Sequence, residues 1–470
     1  MKITTLYSKL RLVGWHFLSL TAAWSVAQPD LVAAERPNIV YIIADDLGYG
    51  DLGSYGQRLI RTPRLDRMAE EGMRFTQHYA GSSSCAPARS VLMTGLHTGH
   101  TRIRSNVGGK QNPLRPEDTA FPELLQAAGY ATGGFGKWSL GDVGSTGAPW
   151  KKGFDLFFGY LDQTLAHRYY PEFLMRNEER VEIPENRGGR RGVYSPDLIV
   201  QEALRFVREH RERPFFVYLP VTLPHAELLV PEDSLAEYVD KWPEPKLFSG
   251  SGAYAAQDKP RAARAAMITR LDRDVGRLLD LLDELRLTEK TLVMFTSDNG
   301  AATAGGADPE FFKSSGPLRG LKFSFYEGGI RVPLIARWPS RIAQGVESPL
   351  VTDFCDVFPT FTELAGARPR AGLDGVSLVP TLLGIPAAQA PRAVFYWEHL
   401  GEQALRRGDW KIRRASVEQP VELFNLAQDV GETRNVAGQH PVIAAELTRL
   451  LALSRIDSAA FPNRPPAKKK

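Results

Sequence analysis

Three stretches of this chain are apolar almost without interruption, and they limit what it can fold into more than any other feature. Asn38-Ile39-Val40-Tyr41-Ile42-Ile43-Ala44, Pro214-Phe215-Phe216-Val217-Tyr218-Leu219 and Thr291-Leu292-Val293-Met294-Phe295-Thr296 are short and rich in β-branched and aromatic residues. They lack the alternation of a half-exposed strand, so each predicts a strand buried on both faces, which requires helices on both sides of a sheet. Helical spacing fills the intervals over residues 62–72, 121–129, 197–211 and 261–287, and a further apolar run, Val332-Pro333-Leu334-Ile335-Ala336, precedes a helix over residues 353–364. Strands alternating with helices in this way predict an α/β fold, a large α/β/α sandwich on a mainly parallel mixed sheet. Residues 141–192, rich in Gly, aromatic and charged residues, show little periodicity and are expected to be irregular and functional.

The texture changes near residue 385. Short strand candidates at residues 393–397, 404–413 and 421–424, then a helix near residues 441–454, predict a smaller C-terminal antiparallel sheet with a packed helix. The 470 residues suffice for such a pair of units. The expected organisation is a catalytic domain over 35–385, a small α+β domain over 386–460, and a disordered Pro- and Lys-rich tail over 461–470. At the other end, Lys2, Lys9 and Arg11 precede a mostly apolar stretch, and Ser25-Val26-Ala27 or Val32-Ala33-Ala34 offers a small-residue cleavage site. Residues 1–34 therefore read as an export signal, too short for a comfortable membrane span, and the protein as periplasmic or secreted. A net charge of only +4 without a basic helix or repeat argues against a nucleic-acid partner. Two cysteines, Cys85 and Cys355, form no disulfide framework, although a single bridge between them is compatible with the sequence.

The first buried run ends in Asp45-Asp46, and the third in Ser297-Asp298-Asn299-Gly300. Adjacent side chains in a strand point to opposite faces, so each pair can converge only beyond the sheet. One such pair serves equally well as a helix cap or turn. Two of them at strand ends suggest one hard cation, with Ca²⁺ favoured over Mg²⁺ if several side-chain oxygens bind. Between them lies Ser82-Ser83-Ser84-Cys85-Ala86-Pro87-Ala88-Arg89-Ser90-Val91-Leu92-Met93-Thr94-Gly95. A free cysteine is ordinarily a small buried hydrophobe, but three serines and a proline are poor core neighbours, and Arg89 could stabilise an anion. Lys137 in Gly-Lys-Trp, His225 after Leu-Pro, and Lys322 in a Gly-rich segment are singly unremarkable; together they could supply cations and a general acid for cleavage of an anionic ester.

Cys-x-Pro-x-Arg followed by Thr-Gly resembles the maturation signature of the type I sulfatases of the alkaline-phosphatase superfamily. The order of Asp-Asp, Gly-Lys-Trp, Pro-His, Asp-Asn-Gly and Gly-x-Lys…Glu-Gly-Gly-x-Arg extends the resemblance over nearly the whole mature chain. The resemblance implies a sulfatase acting on a sulfated saccharide or aryl sulfate, with Cys85 oxidised to formylglycine by a formylglycine-generating enzyme or an anaerobic maturase. It implies one Ca²⁺ held by Asp45, Asp46, Asp298, Asn299 and residue 85, with Arg89 positioning the nucleophile and Lys137, His225 and Lys322 holding the sulfate and leaving oxygen. In that family a histidine stands two residues after the Gly-Lys-Trp lysine; here Ser139 takes its place, and His167 is the candidate replacement. Arg102, Arg104, Asn106, His167, Arg168 and Tyr170 are candidates for a sugar site. Two other readings stay open: a phosphodiesterase or phosphonate monoester hydrolase of the same superfamily, and a non-catalytic glycan-binding relative.

Overall fold

The computed structural model describes residues 36–106, 112–245, 247–252, 254–368 and 370–461. The expected export signal, and the expected tail beyond residue 461, lie outside the described residues. Strand β1 (Asn38–Ala44) is buried along its whole length, as the apolar run predicts. Its side chains divide between two cores. Val40, Ile42 and Ala44 join one that includes Leu65 and Met68 of α1 (Pro63–Glu70). Ile39, Tyr41 and Ile43 join the other, with Val91 and Leu92 of α2 (Cys85–Thr94) and Phe121 of α3 (Phe121–Ala127). Helices α4 (Ser195–Glu209) and α5 (Pro260–Glu284) cover the first face, and α6 (Val357–Leu364) completes the second. This is the α/β/α sandwich.

In chain order the remaining strands of the large sheet are β2 (Met73–Tyr79), β3 (Ala131–Lys137), β4 (Leu156–Tyr160), β5 (Phe173–Arg176), β6 (Glu179–Glu182), β7 (Phe215–Pro220), β8 (Thr291–Ser297), β9 (Arg331–Arg337) and β10 (Val346–Asp353). They lie in the order β10-β2-β9-β8-β1-β7-β3-β4-β5-β6. The centre, β8-β1-β7-β3-β4, is parallel throughout. Strand β9 runs antiparallel to both its neighbours, and β4 to β6 form an antiparallel edge. That edge falls within residues 141–192, where no regular structure was expected; the hairpin of β5 and β6 has only partial burial and so no clean period.

Strands β11 (Phe395–His399), β12 (Glu402–Arg407), β13 (Trp410–Arg414) and β14 (Glu422–Asn425) make a separate antiparallel sheet. Leu447 and Leu451 of α7 (Pro441–Leu453) pack on its Tyr396, Leu405, Ile412 and Leu423. Its other face meets the large sheet, where Phe395, Trp397 and Ala404 pack with Tyr79, Phe325 and Ile330. Cys85 and Cys355 are both buried and free, so the bridge that the sequence allowed is not formed. Among the described residues no helix is long and apolar enough to cross a membrane.

Candidate active site

Because β8, β1, β7 and β3 are parallel neighbours, their carboxyl ends open on one side of the sheet, where ligands of α/β folds gather. Asp45 and Asp46 follow β1, Lys137 ends β3, His225 lies just beyond β7, and Asp298 and Asn299 follow β8. The two aspartates converge because Asp46 takes a left-handed backbone (φ 65°), a conformation that Asp tolerates better than most residues. Arg264 of α5, fully buried, holds that turn by donating to the Asp46 carbonyl (3.1 Å) and to Asp51 (2.9 Å). Across the site Gly300 lets the chain approach closely: a Cβ there would lie 1.9 Å from the Gly328 carbonyl oxygen. The loop bearing Lys322 is pinned by its own amide to the Ala301 carbonyl (2.9 Å) and by the Phe323 amide to the Ser83 carbonyl (2.8 Å). Lys322 is thereby set between the Asp-Asn-Gly turn and the turn before Cys85.

Cys85 is the first residue of α2, buried at its N-terminus. Its Sγ lies 3.3 Å from Asp45 Oδ1 and 3.3 Å from Lys322 Nζ. Lys137 Nζ donates to Asp45 Oδ2 (2.7 Å), and Lys322 Nζ to Asp46 Oδ1 (2.6 Å). One helical turn after Cys85, Arg89 grips Asp298 Oδ2 through Nη2 (2.8 Å) and Nε (3.2 Å) and donates to the Lys137 carbonyl (2.6 Å). Asn299 Nδ2 donates to Asp46 Oδ1 (2.7 Å). Asp45, Asp46, Cys85 and His225 each bring a ligand atom within 4.8 Å of the others. Asp298 enters the same cluster through its Oδ1, which accepts the Asp46 amide at 3.3 Å. Asp46 Oδ2 and Asn299 Oδ1 are buried without a hydrogen-bond partner among the described residues.

Burial alone would raise both aspartates of the pair. Lys137, His225, Arg89 and Lys322 nevertheless hold Asp45 well below the usual carboxylate range, and Lys322 and His225 do the same more mildly for Asp46. Burial and the neighbouring Asp45 charge push Asp298 up to about 6 against the pull of Arg89. Burial and the charges of Asp298 and Asp45 push the Cys85 thiol far above its ordinary value. Burial and these charges therefore disfavour the thiolate of Cys85, the form in which a cysteine is nucleophilic. Three carboxylates face three permanent cations here; a divalent cation would leave the pocket net positive, suited to an anion.

A cavity of about 300 Å³ opens onto the cluster, lined by Asn106, His167, His225, Tyr254, Lys322 and Phe323 among others. All ten expected site residues gather at or beside it. His167 stacks on His225 with ring centroids 4.6 Å apart and planes 9° apart, its Nδ1 buried without a hydrogen-bond partner among the described residues. Ser139 is buried with φ 70°, and its hydroxyl has no hydrogen-bond partner among the described residues. Of the candidate sugar-site residues only Asn106 and His167 line the cavity. Arg104 is committed to Glu398 (2.9 Å), Arg168 to Glu227 (3.3 Å) and Arg102 to Asn112 (2.9 Å), while Tyr170 packs on Tyr194. Gln163, Tyr254, Thr303 and Phe323 went unforeseen; they sit on loops where no spacing marks them.

The profile described as Sulfatase matches residues 37–367, and that of the N-sulphoglucosamine sulphohydrolase C-terminal region matches residues 321–455. The chain is 31% identical to N-acetylgalactosamine-6-sulfatase of Canis lupus familiaris over 96% of its own length and 85% of that protein. It is 33% identical to arylsulfatase A of Homo sapiens over 94% of its own length and 91% of that protein. Among solved structures, Ps i-CgsB in complex with k-i-k-neocarrahexaose superposes with a TM-score of 0.76 at 28% identity, covering 92% of this chain and 94% of that one. With a family profile spanning most of the chain and relatives matched nearly end to end, the protein belongs to the sulfatase family of hydrolytic enzymes.

Proposed function

We propose that this protein removes sulfate from a sulfated saccharide, using residue 85 after its oxidation to formylglycine and one Ca²⁺ held by Asp45, Asp46, Asp298, Asn299 and residue 85. The observation that carries the reading is the placement of Cys85: buried at the N-terminus of α2, with Sγ 3.3 Å from Asp45 Oδ1 and 3.3 Å from Lys322 Nζ, where strand-end oxygens and two lysines converge. The unpartnered Asp46 Oδ2 and Asn299 Oδ1, beside the carboxylates of Asp45 and Asp298, form a hard-oxygen donor set that fits Ca²⁺. Bound there, the cation would supply Lewis acidity and the matured residue 85 a hydroxyl nucleophile.

The remaining work falls to fixed side chains. Arg89 is a positioning residue, locking Asp298 and the Lys137 backbone. Lys137 and Lys322 keep their protons, because the aspartates beside them outweigh the opposing effect of burial. They can therefore stabilise charge developing on sulfuryl oxygens. His225 Nδ1 donates to the Ala226 carbonyl, which leaves Nε2, 3.5 Å from Asp46 Oδ2, as the atom that would take up a proton and pass it to the leaving oxygen. His167, stacked behind it and kept neutral by burial, is the candidate to assist residue 85 where Ser139 stands.

The saccharide substrate is supported by the names of relatives, one an N-acetylgalactosamine-6-sulfatase, and by a structural neighbour solved with a neocarrahexaose. Export by residues 1–34, a catalytic domain over 35–385 with a small domain over 386–460, and maturation by a formylglycine-generating or anaerobic enzyme complete the proposal. The test is mass spectrometry of the peptide bearing residue 85 from the native host, followed by turnover on sulfated saccharides, an aryl sulfate and a phosphate diester. Formylglycine with preferred turnover of a saccharide sulfate is expected. An unmodified thiol, or preference for the diester, overturns it. Full turnover by matured His167→Ala would remove His167 from the mechanism.

A further inference from the structure

Phe323 breaks two rules at once. It is an aromatic side chain 55% exposed, and its backbone is left-handed at φ 70°, a strained conformation for a bulky residue. Both are imposed locally: the Phe323 amide is tied to the Ser83 carbonyl, and the next turn is held by the Phe325 amide donating to Glu402 of β12 (3.0 Å). The ring itself is backed by His399 at the end of β11, centroids 5.9 Å apart and planes 21° apart. It lines the same cavity as Lys322 and His225, and its centroid lies 5.4 Å from Lys322 Nζ. An exposed, rigidly backed aromatic beside the reacting groups is a surface awaiting a flat apolar partner.

We propose that Phe323, backed by His399, is the specificity-determining platform of this enzyme, packing against the apolar face of the sulfated sugar ring. The proposal rests on the saccharide-sulfatase reading and sharpens it. A cavity of about 300 Å³ is at the small end of ligand sites and holds about one sugar ring. Lys322 and its neighbours take the sulfate, and Phe323, one residue on, takes the ring that carries it. Asn106, whose Oδ1 accepts the Ala86 amide (3.1 Å), leaves its side-chain amide for a sugar hydroxyl. A pyranose presenting an unbroken C–H face to the ring is the favoured substrate class; one with an axial group on that face is disfavoured.

The experiment compares matured wild type with Phe323→Ala and Phe323→Trp on N-acetylgalactosamine 6-sulfate. It reads KM, the inhibition constant of inorganic sulfate, and calorimetric binding of the same sugar. Loss of stacking is expected to raise KM and weaken binding about tenfold in Phe323→Ala, with recovery in Phe323→Trp. The sulfate constant, which reports only the cationic groups, is expected to hold within twofold in both. Unchanged sugar binding in Phe323→Ala overturns the proposal, as does a parallel loss of sulfate inhibition, which would mean that the Lys322 loop had moved. Phe323-dependent binding without turnover would sustain the platform and overturn the hydrolase reading. A wild type that neither binds nor cleaves the sugar overturns both.

Discussion

At the residue scale, what the chain places beside Cys85 matters more than Cys85 alone. Lys322 reaches both Asp46 (2.6 Å) and the sulfur (3.3 Å), so its ammonium is a pre-organised donor for negative charge developing beside residue 85. Removing one pre-organised donor of this kind costs about 10²–10³ in kcat. Lys322→Ala is accordingly expected to lose that factor in turnover by the matured enzyme, with a smaller change in KM. A loss confined to KM would assign Lys322 to ground-state binding only. The sequence made Lys322, Lys137 and His225 legible by their positions after strands or within Gly-rich segments, and the structure brings them together. Arg264 was not legible in this way. It lies inside a long amphipathic helix, where an arginine normally marks the solvent face, yet here it is buried under the Asp45-Asp46 turn. A long-range backbone contact of this type leaves no local pattern.

At the element scale, the strands of the large sheet that read most directly are those buried on both faces, while β12 to β14, only partly buried, read as short runs between turns. In β1, β7 and β8 every residue is buried, so composition alone marks them. Strand β2 mixes buried and half-buried positions with Arg74, Gln77 and His78, and β10 carries Pro349 and a register shift between Ser348 and Val351; neither shows a period. Their pairing hides a titratable group. His78 is fully buried, its Nδ1 2.8 Å from Thr352 Oγ1 and its Nε2 without a hydrogen-bond partner among the described residues. Burial lowers it to about 3 from an ordinary 6.5. The folded state thus refuses a proton that the unfolded chain accepts. The stability held by neutral His78 is complete above pH 6.5 and declines as pH falls from there towards 3, at about 1.4 kcal/mol per unit. Denaturant melts between pH 7 and 4.5 are expected to show a slope in which His78 has this share beside the other burial-lowered histidines, His97, His167, His225 and His399, and His78→Gln, which can still bond Thr352, to reduce the slope by that share. An unchanged slope in the variant would place the acid sensitivity elsewhere.

At the scale of the whole molecule, the small sheet braces the loop of the large one that carries Lys322. The joint is a buried charge network: Lys411 of β13, fully inaccessible, lies 2.7 Å from Glu327 and 3.0 Å from Glu432, and Tyr79 of β2 donates to Glu327 at 2.6 Å. Burial would raise Glu327, but Lys411, Arg331 and Arg406 draw it down to about 2, so it stays charged at every working pH. Glu327 opens the single turn Glu327–Ile330, whose Gly328 closes on Gly300, and this chain of contacts joins the small sheet to the Asp-Asn-Gly turn. Replacing Lys411 by methionine fills much the same volume but leaves buried carboxylates uncompensated, at a cost of about 3–5 kcal/mol. Lys411→Met is therefore expected to lower the unfolding midpoint sharply. If the loss comes from stranded charge and not from packing, also changing Glu432→Gln must return part of it, a coupling of about 1–3 kcal/mol in a double-mutant cycle. Strict additivity of the two changes would show instead that the network contributes nothing as a unit, and that the apolar contacts of Trp397 and Phe325 hold the two sheets together.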